Sequence, residues 1–135
     1  MSDYLLDTDT FIFLLKHHPL VEAKVRAVGI GRLALSAVSV AEVSHGAYYS
    51  ANPSASLTAT RGLIAQLAVI TLDQVIADKF GEIKADLRRQ GQILADFDLL
   101  IGATALVARR ILVTNNTKHF QRLGAYGLAI ENWLV

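Results

Sequence analysis

Three acidic residues, Asp7, Glu42 and Asp98, fall where carboxylates can do more than solvate a surface. Asp7 follows the short apolar run Tyr4-Leu5-Leu6, and in open parallel sheets ligands bind beyond the carboxyl ends of the strands. Within Asp7-Thr8-Asp9-Thr10, Thr8 or Asp9 can cap the next helix, which leaves Asp7 for another task. Glu42 closes Ser39-Val40-Ala41-Glu42, the spacing of a capping box, in a helix that also starts at the carboxyl edge of a strand. Asp98 stands in Asp96-Phe97-Asp98 at the head of a nearly all-apolar helix, where either acid can serve the helix dipole. In that helix Gly102 and Ala105, three apart, allow close approach to the sheet.

Carboxylates gathered at one edge repel and raise one another's pKa unless a cation neutralises them. None of the three has a basic residue immediately beside it. Oxygen-only ligands suit Mg²⁺ or Mn²⁺ rather than zinc. Such an ion activates water and stabilises charge on a phosphate during transfer.

The elements that must position these acids alternate between short apolar runs and longer helical stretches, the pattern of an α/β fold with a parallel sheet. Strands are expected at Tyr4–Leu6, Leu33–Ser36, Val69–Leu72, Ile111–Thr114 and Leu128–Ile130. Helices are expected over Thr10–His17, from Pro19 to Gly29, over Val40–Tyr49, over Leu57–Leu67, from Asp73 to Gln90, over Phe97–Arg109 and over Thr117–Leu123. The long helix carries Val75, Ile76, Phe80, Ile83 and Leu87 as its expected buried stripe.

The whole chain of 135 residues fits one domain, and 53% apolar residues can fill one core. The absence of cysteine removes disulfides, thiolate metal sites and cysteine nucleophiles. A net charge of +1 is low for a protein that grips nucleic acid chiefly through phosphate, so any such contact must be a local patch. Only 19% of residues are charged, which suggests that a partner covers some apolar surface. Asp3, Asp7 and Asp9 interrupt the stretch a secretory signal would need, and Leu99–Ala108 is too short to cross a bilayer. The chain reads as soluble and cytoplasmic, with no membrane contact.

Four blocks in order carry a family resemblance. They are Leu5-Leu6-Asp7-Thr8-Asp9, Ser36 to Val43, Asp98 to Leu106, and Val113 to Phe120, followed by Glu131-Asn132-Trp133. The chain resembles the PIN-domain ribonucleases, and among them the VapC toxins of bacterial toxin–antitoxin pairs. The resemblance implies one PIN domain over 1–135, a three-layer fold with a central parallel sheet of four to five short strands, and metal-dependent cleavage of RNA, transfer RNA included. It implies Asp7, Glu42 and Asp98 as metal ligands and catalytic residues, with Mg²⁺ or Mn²⁺ as cofactor. In such a mechanism the carboxylates act mainly as ligands, and one of them, with Glu42 as the candidate, is expected to help deprotonate the attacking water. It also implies a small antitoxin as partner, a homodimer, and a toxin–antitoxin hetero-oligomer.

The chain departs from the family at the fourth acidic position, where Asn116 and His119 stand in the block from Thr114 to Phe120. Asn116 can still offer a carbonyl oxygen, and His119 can touch phosphate. Thr8, Ser39 and Asp96 are candidates for supporting the ligands. Arg88, Arg89, Arg109, Arg110 and Lys118 are candidates for meeting RNA phosphates. Tyr48 and Tyr49 can stack on bases, although burial or a protein interface is the commoner use of such residues. The alternative reading is a catalytically weak module that binds RNA or an antitoxin without cutting.

Overall fold

The computed structural model describes residues 2–135. Its centre is β1 (Tyr4–Leu6), a strand so short that it must be buried on both faces to hold its place. Leu5 and Leu6 are both fully buried and point to opposite sides. Each adds roughly 2 kcal/mol of apolar burial. β1 pairs in parallel with β2 (Leu33–Ser36) on one side and β4 (Ile111–Val113) on the other. β3 (Ala68–Ile70) extends the sheet beyond β2, and β5 (Ile130–Glu131) beyond β4. The order is β3-β2-β1-β4-β5 with every pairing parallel, so all carboxyl ends lie at one edge.

Helices cover both faces. On one side α5 (Gln74–Arg89) and α6 (Asp96–Ala108) bring Ile83, Leu87, Leu99, Ile101 and Ala105 onto Leu5, Ala34 and Leu112. On the other, α1 (Thr8–Leu15), α2 (Pro19–Val28) and α3 (Ala37–Tyr48) bring Phe11, Leu14, Val21, Val25 and Val43 onto Leu6, Leu35 and Val113. Trp133 seals this second cluster; its ring meets Tyr4 edge-on at 5.2 Å and its indole N–H donates to Glu131 Oε1 at 2.9 Å. α4 (Pro53–Ile64) packs on α3, and α7 (Thr117–Phe120) runs into a 3₁₀ stretch at Gln121–Tyr126. No helix among the described residues is long and apolar enough to cross a membrane.

Several boundaries differ from the sequence expectation, each for a local reason. α1 starts at Thr8 because Asp7 is itself the cap, accepting the Thr10 N–H at 2.8 Å. α3 starts at Ala37 because Ser36 caps it, accepting the Ser39 N–H at 3.1 Å. α4 starts at Pro53, which sits at the first helical position behind the Asn52 cap. β3 ends at Ile70, and the last strand is Ile130–Glu131. Val75 leaves the expected buried stripe and is 62% exposed, while its neighbour Ile76 in the same first turn of α5 is buried. Gly102 makes its close approach to the C-terminal segment: a Cβ there would lie 2.5 Å from Leu123 Cδ1 and 3.7 Å from the Phe120 ring.

Candidate active site

At the carboxyl edge, β1 and β4 end side by side. Asp7 N–H donates to Val113 O at 3.0 Å, and the Thr10 hydroxyl donates to the same oxygen at 3.1 Å. Asp7 is therefore held by backbone on both sides and is only 6% exposed. Burial raises its pKa above the ordinary carboxylate value, and hydrogen bonds from Thr114 and Thr10 partly offset the rise. An acid kept in this place by a strand end and a helix start has little freedom to be elsewhere.

Glu42 lies in the second turn of α3, past the capping positions, so the expected Ser39–Glu42 capping box does not form. Its Oε1 instead accepts the Thr8 hydroxyl at 2.6 Å, across from another helix. Thr8 Oγ1 lies 2.9 Å from the buried Ser39 Oγ, and the Ser36 hydroxyl reaches Ser39 Oγ at 3.4 Å. Thr8 and Ser39 thus form one hydroxyl chain behind Glu42.

Asp98 is half-buried in the first turn of α6. Its pKa is raised, first by burial, then by the nearby Glu42 and Asp9 carboxylates, with His119 acting in the opposite sense. Neither acid of this turn caps the helix: the cap is Ala95, without a side-chain bond. Asp96 turns outward and pairs with Lys84 Nζ at 2.8 Å, away from the acidic site.

A depression of about 220 Å³ is lined by Asp7, Thr8, Asp9, Glu42, Asp98, Asn116 and Phe120. No lysine or arginine lines it. Asp9 is the acid that sequence reasoning missed as a site residue; its signal was the second acid of Asp7-Thr8-Asp9, read there only as a cap. Asn116 Nδ2 and His119 Nδ1 are 2.7 Å apart, so the two residues at the fourth position act on one another beside the site.

The donors are all oxygens and carry more negative charge than nearby cations can balance, which fits a hard divalent cation in kind and charge. Among the described residues no three of these side chains stand together as a ready ligand cluster. Asp7 and Glu42 each have one oxygen engaged, with Thr10 and Thr8.

Four of the five basic candidates lie elsewhere. Arg89 pairs with Asp86 at 3.0 Å, and Arg88 lines a separate groove of about 430 Å³ between α5 and α6. Arg110 ties the opposite edge of the sheet, donating to Tyr4 O and Arg32 O at 3.2 Å each, and Arg109 takes a left-handed conformation at φ 56 to end α6. Lys118 is exposed on α7. Tyr48 and Tyr49 are 61% and 84% exposed, so they are not buried within the chain, which leaves an interface or base stacking as their use.

The PIN domain family model matches residues 4–126. The tRNA(fMet)-specific endonuclease VapC of Shigella flexneri is 34% identical, over 98% of this chain and 99% of that protein. Ribonuclease VapC2 of Haemophilus influenzae is 33% identical, over 99% of this chain and all of that protein. Among solved structures, DNA-bound VapBC from Salmonella typhimurium superposes with a TM-score of 0.90 at 31% identity, over 98% of this chain and 99% of that one. VapBC-1 from nontypeable Haemophilus influenzae gives 0.87 at 29% identity, over 99% of this chain and all of that one. The chain belongs to the PIN-domain family, in its VapC branch.

Proposed function

We propose that this chain, a single PIN domain over 1–135, is a divalent-metal-dependent endoribonuclease toxin that cuts transfer RNA or another RNA with single-stranded loops. The observation that carries the reading is the oxygen-lined depression without lysine or arginine at the carboxyl edge of the sheet, in a chain whose relatives are VapC ribonucleases. Asp7, Glu42 and Asp98 would hold Mg²⁺ or Mn²⁺, with Asn116 offering a carbonyl oxygen in the fourth position and Asp9 adding charge. When bound, the cation neutralises the cluster and supplies Lewis acidity toward water and phosphate.

The chain's own residues do the positioning. The Thr10 N–H fixes Asp7, and the Thr8–Ser39 hydroxyl chain fixes Glu42. Glu42 Oε1 takes the Thr8 hydrogen bond, which leaves Oε2 to receive the proton of the attacking water. His119, beside Asn116, would meet a phosphate oxygen of the RNA.

The experiment is incubation of the purified chain with a transfer-RNA pool and Mg²⁺ or Mn²⁺, followed by sequencing of the new ends. Discrete cuts that vanish in Asp98→Asn support the reading, and undiminished metal-dependent cutting by that variant overturns it. The Asn116 and His119 departure favours one alternative, a module that binds RNA or an antitoxin without cutting; binding with no cleavage across both metals would establish it.

The VapBC neighbours support a cognate antitoxin as partner and a hetero-oligomer with it. Homodimerisation belongs to the same reading. An antitoxin laying a helix on exposed apolar surface and reaching a basic side chain into the acidic depression would silence it. Co-purification with, and inhibition by, the product of an adjacent small gene is the expected result.

A further inference from the structure

Glu42 is not the last functional group that α3 presents. On a helix, residues three, four and seven further along share the same face. From Glu42 these are His45, Gly46 and Tyr49. His45 and Tyr49 are exposed, and their rings stack with centroids 5.8 Å apart and planes 18° from parallel. Gly46 puts no side chain on the ridge, and the space above its Cα is open. A bare stretch of helix thus leads from the acidic depression to a preformed pair of parallel rings, about 10 Å along the axis.

We propose that His45 and Tyr49 form a stacking platform for an unpaired base of the RNA, a nucleotide or two from the bond that is cut. The inference rests on the ribonuclease reading above and adds to it a binding subsite. Three observations favour RNA as the occupant. Tyr49 is 84% exposed, so most of its ring surface is open to a base. The large aliphatic residues that are exposed, such as Leu72, Val75 and Ile93, all lie outside α3, and what the end of α3 exposes is aromatic, Tyr48 beside Tyr49. Arg61 donates to the hydroxyl of Tyr48, the neighbour of Tyr49, at 3.1 Å, which brings a positive charge to the end of α3 for a phosphate that the acidic depression itself repels.

The test uses a single-stranded RNA oligomer carrying 2-aminopurine, whose fluorescence falls when it stacks, titrated with the full chain in EDTA so that nothing is cut. Tyr49→Ala is expected to weaken binding about tenfold and abolish the quench. Tyr49→Phe keeps the ring and should bind within about twofold of the parent. With Mn²⁺ present, Tyr49→Ala should raise KM by a similar factor at nearly constant kcat, the mark of binding lost equally before and in the transition state. Unchanged affinity, quench and KM in Tyr49→Ala overturn the platform while leaving the ribonuclease reading intact. A parent chain that neither binds nor cuts RNA overturns both. If Tyr49→Ala keeps full RNA affinity but changes the sedimenting mass, the rings are a contact between protein copies and the proposal fails.

Discussion

The Thr8 hydroxyl donates to Glu42 Oε1 at 2.6 Å while lying 2.9 Å from Ser39 Oγ, which joins the first turn of α1 to the second turn of α3 at the mouth of the acidic depression. A hydrogen bond to a charged acceptor contributes about 1.5–3 kcal/mol. Thr8→Val keeps the shape and removes the donor. It is expected to lower kcat about ten- to a hundredfold and to destabilise the fold by up to about 3 kcal/mol. Thr8→Ser should restore most of the loss, and steady-state cleavage of a defined RNA reads both.

Asp7 has two separable duties. Its carboxylate lines the depression, and its Oδ1 caps α1. Asparagine caps a helix as well as aspartate does, whereas alanine forfeits about 1 kcal/mol. Asp7→Asn and Asp7→Ala should both abolish cleavage, and only the alanine variant should unfold at lower denaturant. Equal stability in the two variants would contradict the capping geometry.

The raised Asp7 and Asp98 carboxyls set a pH dependence. A carboxyl whose folded pKa lies above its unfolded value binds its proton more tightly when folded. Stability from these groups therefore falls as pH rises from the ordinary carboxylate value through the raised folded values. Asp98→Asn removes its share of that fall, so the cation-free variant should melt above the parent at neutral pH and lose the advantage in acid. Calorimetry across pH reads the difference.

A divalent cation should reverse that order at neutral pH. At a hundred times its Kd, a ligand specific for the folded state stabilises by about 2.7 kcal/mol. Mg²⁺ or Mn²⁺ should raise the melting temperature of the parent and leave Asp98→Asn nearly unmoved. Asn116→Asp, which returns an acid to the fourth position, should bind the cation about tenfold more tightly, as added ligand charge does elsewhere.

Much of this arrangement was legible in the residues. Short apolar runs flanked by helical spacing define a parallel sheet, and the three central strands are the plainest, because Leu5, Leu6, Leu35 and Val113 must be buried, while the edge strands β3 and β5 are more exposed and their bounds shift. The acids at the strand ends follow from the same topology. What could not be read was which polar residue serves which backbone group. Asp7, Thr8 and Asp9 are equally good caps in sequence, as are Ser36 and Ser39, and only the strand exit fixes the choice. The Thr8–Glu42 bond spans 34 residues, and Asp96 and Asp98 are told apart only by Lys84, which α5 brings to one of them. Long-range pairing of this kind leaves no local pattern.

The sheet order also bears on when such an enzyme becomes dangerous to the cell that makes it. β1 is translated early, yet its second neighbour, β4, leaves the ribosome about a hundred residues later. Until then the Asp7 N–H has no Val113 oxygen to meet, and the helix of Asp98 lacks Leu112 from the bed it packs on. A nascent chain that stalls before β4 carries every acid of the triad but no assembled site. Assembly of the site therefore waits for near-complete synthesis.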